Sequence, residues 1–179
     1  HQVQNAAAVL AVLQRLKERI PVDQHAVRAG LLSAHLAARF DVRPGTPTLV
    51  IDVAHNPQAA HALADNLRRL PRQGRLLAVF GALADKDVEG VVRPLSGCVD
   101  HWYLGSIEDD RRLGGDALVD RAAGLLVGAT RFGSVVEAFD AAVAAAAEQD
   151  VVVVFGSFMV AGTVLRDRLA AINDGGSND

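Results

Sequence analysis

The chain has 179 residues, half of them hydrophobic, with a formal net charge of −3 and a single cysteine, Cys98. This length suits one domain, or one domain with part of another, and the composition provides for a sizeable apolar core. The small acidic excess argues against a general nucleic-acid-binding protein, one cysteine excludes an internal disulfide, and no apolar run approaches the roughly 18 residues of a membrane span.

The amino-terminal segment has a helical pattern. Residues 2–19 are rich in Ala, Leu and Val and turn basic towards their end, which predicts a helix. Asp23 is the predicted cap of a second helix that ends near residue 34. Residues 39–47 contain two prolines and a glycine, so we predict a linker there. The chain has neither an initiator methionine nor a signal-peptide pattern at His1, and we expect it to be a piece of a longer protein.

From residue 48 onwards, predicted strands alternate with predicted helices. The strands are 48–52, 74–83, 98–107 and 150–157. The helices begin at Asn56-Pro57 and then cover 87–95, 116–126, 134–149 and 158–172. Ser134 and Glu137 form a predicted capping box. Alternation with continuously apolar strands predicts an α/β fold: a mostly parallel sheet with helices on both faces.

Polar residues cluster where these strands end. They are Asp52, His55 and Asn56 after the first strand, Asp85, Lys86 and Asp87 after the second, and Ser157 after the last. Parallel sheets bind ligands at the carboxyl ends of their strands, so these residues are expected at one edge. Each residue also has a purely structural interpretation, as a turn aspartate, a helix cap or a solvated turn. Dinucleotide, phosphate-loop, zinc and nucleophile-elbow motifs are absent from the sequence.

Several segments resemble the folylpolyglutamate synthases, which are Mur-ligase-like ATP-dependent amide ligases. "IDVAHNPQAA" is similar to their "D-G-A-H-N-P" motif, "FGALADKDVEG" to "G-x-x-x-D-K-D", and "VVVVFGSFMVAGTVL" to "V-x-G-S-F-x-x-A". "HQVQNAAAVLAV" and "AARF" resemble the end of the family's central domain, and "DHWYLGSIEDDRRL" resembles members that also act as dihydrofolate synthase. Val53 and Ala38 stand where the family usually has glycine.

The resemblance implies a fold, a domain division and a reaction. Residues 1–42 would be the helical end of a central ATPase domain with its linker, and residues 43–179 a Rossmann-like Mur ligase carboxy-terminal domain. ATP would phosphorylate a carboxylate of dihydropteroate or folate, and the amine of L-glutamate would displace the phosphate. The family's phosphate loop and most of its central domain are missing from this chain. Mg²⁺ would therefore be bound mainly outside it, with no metal ligand in the fragment, and we expect the fragment alone to be inactive.

The resemblance also implies roles for individual residues. ATP contacts fall on Asn5, Arg39 and Asp52. His55 matches a catalytic histidine at the glutamate and phosphate end, and Ser157 matches a serine near the glutamate. Lys86 is a further candidate, with a structural ion pair to Asp85 or Asp87 as the alternative.

The expected partners are the small molecules ATP, L-glutamate and dihydropteroate or folates, with no nucleic acid and no membrane. The resemblance further implies a cytoplasmic enzyme that is monomeric when intact. Two alternatives stay open: another Mur-type amino-acid ligase, acting on peptidoglycan precursors or cyanophycin, or a stand-alone non-catalytic binding module. The absence of tyrosine after Asp52 and the "DKD" and "GSF" segments favour the folate branch over other Mur-type ligases.

Overall fold

The computed structural model describes residues 2–33 and 38–169, and the chain divides into two compact units, His1–Leu36 and Ala37–Asp179. Residues 38–42, which the sequence analysis assigned to the first domain, therefore lie in the second unit. The end of the last predicted helix, 170–172, falls outside the described residues.

The first unit contains two helices, α1 (Gln2–Arg15) and α2 (Gln24–Ser33). Helix α1 is shorter than predicted, because the backbone leaves the helical pattern for a turn in which Arg19 N–H donates to the Leu16 carbonyl (2.9 Å). Asp23 caps the second helix, accepting from Ala26 N–H at 2.6 Å, as predicted.

The second unit is built on a six-stranded sheet in the order β1-β2-β6-β3-β4-β5. Its strands are β1 (Asp41–Arg43), β2 (Thr48–Ile51), β3 (Leu76–Phe80), β4 (His101–Gly105), β5 (Thr130–Phe132) and β6 (Val151–Phe155). Its helices are α3 (Pro57–Arg69), α4 (Val88–Val92), α5 (Gly115–Arg121), α6 (Val135–Ala145) and α7 (Phe158–Val164), the last followed by a π-helical turn (Leu165–Leu169). Only β1 is antiparallel to its neighbour, which confirms the predicted mostly parallel sheet.

Two strands were missed, and both lie at the edges of the sheet. The predicted linker at 39–47 is wrong in part, because residues 41–43 pair with β2. Strand β5 follows a loop and exposes both Thr130 and Arg131. Each of these strands has three residues and pairs with a neighbouring strand on one side alone. Such short edge strands need no run of apolar residues, which explains why the sequence pattern did not reveal them.

The helices cover both faces of the sheet. Helices α3, α4 and α5 pack on one face through residues such as Leu67, Val91 and Leu118. Helices α6 and α7 pack on the other face through residues such as Phe139 and Val160. The alternating residues of the central strands divide between these two cores, so β3 and β6 are buried along their whole length.

Candidate functional site

A crevice is expected at the carboxyl ends of β2 and β6. These strands are parallel neighbours, yet the chain leaves β2 towards α3 on one face and leaves β6 towards α7 on the other. Where adjacent connections diverge in this way, an open α/β sheet binds its ligands. Asp52 N–H donates to the Val154 carbonyl at 2.9 Å and so extends the strand pairing up to the edge. Asp52 comes directly after β2, His55 lies in the turn from β2 to α3, and Ser157 follows β6, so all three belong to segments that leave the sheet at this edge.

Asp52 binds two separate backbone segments at this edge of the sheet. Its Oδ2 accepts from Phe40 N–H at 2.8 Å, and its Oδ1 accepts from Ala54 N–H at 2.7 Å. Burial raises the pKa of the Asp52 carboxyl, while these N–H groups and the Arg39 charge act in the opposite direction. The carboxylate therefore links the segment before β1 to the turn after β2, and each oxygen keeps a lone pair for a hydroxyl donor.

Arg39 lies between two residues in the left-handed conformation, Ala38 with φ of 59° and Phe40 with φ of 50°. Glycine is the residue that adopts this conformation without steric cost, so Ala38 and Phe40 both hold a backbone conformation that is unfavourable for residues with a side chain. The Arg39 guanidinium lies over the ring of Phe158, with its central carbon 5.6 Å from the ring centroid. A cation–π contact thus joins the segment before β1 to the start of α7.

His55 has a defined tautomer in this geometry. Its Nδ1 lies 2.8 Å from the Val53 carbonyl oxygen, which can only accept, so Nδ1 bears the proton. In the neutral imidazole this leaves the lone pair on Nε2, which can then accept from an amine N–H. Asn56 accepts from Ala59 N–H at 2.8 Å and caps α3, and this cap holds the turn that presents His55.

Ser157 is nearly buried, at 8% exposure, directly after β6. Its Oγ accepts from Val160 N–H at 3.1 Å and caps α7, which leaves the hydroxyl proton for another acceptor. The structural role of Ser157 is therefore observed, and it is compatible with the hydroxyl donating to a carboxylate.

Lys86 and its acidic neighbours follow β3 at the same edge. Lys86 Nζ lies 2.8 Å from Asp85 Oδ2, and this hydrogen bond lowers the pKa of the Asp85 carboxyl. Asp87 accepts from Gly90 N–H at 2.9 Å and caps α4. The ion pair weighed for Lys86 in the sequence analysis is present, with Asp85 as its partner.

Asn5, the remaining candidate, is an exposed residue of α1 in the first unit, and the geometry above involves the second unit alone. Phe158 was not identified as a site residue from the sequence. In the sequence, Phe158 directly follows the serine after the last strand, in "GSF", and this position could have pointed to it. In the structure its side chain is 60% exposed.

Neither a metal cluster nor a membrane span is found in the part of the chain that the structure describes. Across residues 2–33 and 38–169, no group of three or more His, Cys, Asp or Glu side chains is placed to hold a metal ion. Within the same ranges, no helix combines the length and apolar character needed to cross a membrane.

Residues 38–158 match the family model described as the Mur ligase, glutamate ligase domain. The chain is 40% identical over 154 residues to the dihydrofolate synthase/folylpolyglutamate synthase of Escherichia coli (strain K12), an alignment that covers 86% of this chain and 35% of that protein. Escherichia coli FolC in complex with DHPP and ADP matches the structure with a TM-score of 0.84 and 38% identity, over 94% of this chain and 39% of that one.

A bifunctional folylpolyglutamate synthase/dihydrofolate synthase with Mn, AMPPNP and L-glutamate bound matches with a TM-score of 0.82 and 40% identity, over 96% of this chain and 39% of that one. The chain thus spans between a third and two fifths of the length of these relatives.

Proposed function

Because this chain belongs to the Mur ligase glutamate ligase domain family, we propose that it is the carboxy-terminal part of a bifunctional folylpolyglutamate synthase/dihydrofolate synthase. The observation that supports this most directly is the 40% identity to the Escherichia coli enzyme over 86% of the chain. The candidate residues gathered at one sheet edge support the same proposal.

The proposed reaction is the ATP-dependent formation of an amide. The γ-phosphoryl group of ATP passes to a carboxylate of dihydropteroate or folate, which gives an acyl phosphate and ADP. The neutral amine of L-glutamate attacks the acyl carbon, and the tetrahedral intermediate expels inorganic phosphate to leave the amide. This chemistry requires alignment of three substrates and neutralisation of phosphate charge more than covalent help from the protein.

In this proposal the second unit closes the nucleotide and glutamate ends of the site. Arg39 supplies a permanent positive charge to the phosphates, for which a planar guanidinium is well suited. Asp52 accepts from a ribose hydroxyl with the lone pairs that its backbone bonds leave open. His55 uses Nε2 to orient glutamate and to take a proton from its amine, and the Ser157 hydroxyl donates to a glutamate carboxylate.

Other parts of the proposed enzyme would come from outside this chain. The described residues contain no metal cluster, so they do not by themselves fit the Mg²⁺ expected for such a ligase. We assign Mg²⁺ and the main phosphate cradle to the remaining portion of the enzyme. Asn5 is proposed to contact the adenine end of ATP from the first unit, and Lys86 is kept as a secondary candidate. A monomeric, cytoplasmic enzyme completes the proposal.

The test compares the full-length enzyme with the 179-residue chain. The full-length protein should release ADP only when ATP, Mg²⁺, L-glutamate and dihydropteroate or a folate are all present, and mass spectrometry should show the glutamylated product. The 179-residue chain should release none, because it lacks a phosphate loop. D-glutamate and L-lysine serve as control amino acids. Activity that depends on one of them, or on a peptidoglycan precursor, would instead identify another Mur-type ligase.

A further inference from the structure

The turn before β1 has an unfavourable backbone. Ala38 and Phe40 have φ angles of 59° and 50°, although both residues carry side chains. A β-carbon disfavours this left-handed conformation, and such residues persist only where their surroundings hold them in place. Two of them within three positions therefore require an interaction that holds the backbone of the turn.

The Asp52 carboxylate contacts the backbone of this turn directly. Its Oδ2 accepts from Phe40 N–H at 2.8 Å, while its Oδ1 accepts from Ala54 N–H at 2.7 Å. Burial raises the pKa of the Asp52 carboxyl, and the hydrogen bond from Phe40 N–H is the strongest of the interactions that lower it. The turn and the carboxylate thus stabilise each other.

We propose that Asp52 is a positioning residue: its bond to Phe40 N–H holds the left-handed turn and so fixes the point from which the Arg39 side chain starts. This role is additional to its proposed contact with a ribose hydroxyl. Its effect on nucleotide affinity rests on the proposed function, in which Arg39 binds the phosphates of ATP. The Arg39 guanidinium has interactions of its own, among them the contact with the Phe158 ring, and its charge acts on the Asp52 carboxylate.

The two left-handed residues pack into opposite cores. Ala38 is buried in the core beneath α6 and α7, and Phe40 packs against the core beneath α3, α4 and α5. Arg39 is exposed between them, so a relaxed turn would withdraw a side chain from a core and displace the Arg39 backbone. Side-chain burial, or the pairing of β1 with β2, could hold the turn without Asp52, and the first experiment separates these explanations.

That experiment is a double-mutant cycle on the unfolding of the 179-residue chain, with Asp52→Ala, Ala38→Gly and the combined variant. Glycine removes the cost of the left-handed conformation, and Asp52→Ala removes the acceptor of the Phe40 N–H. If Asp52 holds the turn, glycine should be about five- to thirtyfold more favourable in the unfolding equilibrium constant when Asp52 is present than when it is replaced. Ala123→Gly is the matched control, because Ala123 is also left-handed (φ 48°) but lies just after α5, and its effect should be the same in both backgrounds.

An equal effect of Ala38→Gly in both backgrounds would show that burial or strand pairing holds the turn, and would refute the inference. Hydrogen exchange of the wild-type chain is a second readout that needs no variant. The Phe40 amide should be protected by its bond to Asp52. Exchange of this amide as fast as in an unstructured peptide would show that the bond is absent.

The second experiment measures the effect on nucleotide binding in the full-length enzyme. With 2′,3′-dideoxy-ATP, which has no ribose hydroxyl for Asp52, Asp52→Ala should still raise the KM for the nucleotide about two- to tenfold and leave the KM for glutamate unchanged. The same substitution should add nothing in the Arg39→Met background.

Two results in an active enzyme would overturn the positioning role. One is wild-type behaviour of Asp52→Ala with the dideoxy nucleotide, which would leave Asp52 a ribose ligand alone. The other is an equal increase in KM with and without the Arg39 side chain. If the wild-type enzyme shows no glutamate ligation while the unfolding cycle shows the coupling, the proposed function fails and Asp52 still holds the turn.

Discussion

Substitution of Gly156 by alanine should damage both stability and the candidate site. Gly156 directly follows β6 and has a φ of +130°, a region that residues with side chains rarely adopt. A β-carbon there would also collide with the carbonyl oxygen of Gly81, which directly follows the neighbouring strand β3. Gly81 cannot retreat easily, because a β-carbon on Gly81 itself would already lie 2.6 Å from the Gly105 carbonyl oxygen. The carboxyl ends of three strands are therefore packed backbone to backbone.

The size of the effect follows from these two penalties. The backbone conformation costs a non-glycine residue about 1–3 kcal/mol, and forcing an extra methyl group against packed backbone costs about 1–3 kcal/mol more. We therefore expect Gly156→Ala to lower the free energy of unfolding by about 2–6 kcal/mol. For a chain of this size that corresponds to a fall in Tm of roughly 4–24 °C.

The assay is urea and thermal unfolding of the 179-residue chain, followed by circular dichroism. Gly162→Ala is the matched control, because Gly162 lies within α7 and nothing would come within 4 Å of a β-carbon there. Alanine should stabilise that helix by about 0.5–1 kcal/mol. A Gly156→Ala chain as stable as the wild type would show that the close approach of Gly156 to the Gly81 carbonyl is absent in solution.

Three further predictions concern other parts of the second unit. The N–H of Ala147 and the Arg75 guanidinium lower the pKa of the Asp150 carboxyl. The ionised Asp150 carboxylate therefore stabilises the fold above the ordinary pKa of about 3.9, and this stabilisation is lost as the pH falls through the lowered pKa. Asp150→Asn should cost about 2–3 kcal/mol at pH 7 and progressively less below pH ~4 in urea unfolding, and a pH-independent cost would contradict this sign. His55→Ala in the full-length enzyme should reduce kcat/KM for glutamate about ten- to a hundredfold with a much smaller change in the KM for ATP, and a folded variant with wild-type glutamate kinetics would remove His55 from the site. Asn56→Ala should destabilise the chain by about 1 kcal/mol through loss of the α3 cap, whereas Asn56→Asp should retain the wild-type midpoint in thermal unfolding.

Features that depend on neighbouring residues were predictable from the sequence. Asn56 and Ser134 cap α3 and α6 as predicted, because a cap needs only a short polar side chain followed by a helical segment. The capping box at Ser134 is half correct: Glu137 N–H donates to Ser134 at 3.2 Å, but the Glu137 carboxylate accepts from Gly133 N–H at 3.1 Å instead of from Ser134. The buried strands β3 and β6 were also found, since residues covered on both faces must all be apolar.

The likeness of the motifs to a ligase family placed Arg39, Asp52 and Ser157 in one list, but it gave no contacts between them. Three contacts join residues from separate segments of the chain. They are the hydrogen bond from Phe40 N–H to Asp52, the cation–π contact of Arg39 with Phe158, and the close backbone approach of Gly156 to Gly81. The first depends on the antiparallel pairing of β1 with β2, and the other two depend on the insertion of β6 between β2 and β3, which brings the last strand beside the two earliest parallel strands. Local pattern determines which residues can form a strand, a cap or a turn, whereas strand order is decided by packing across the whole sheet. For that reason the sequence alone determined the chemical groups available at the edge, and only the tertiary structure decided which of them meet.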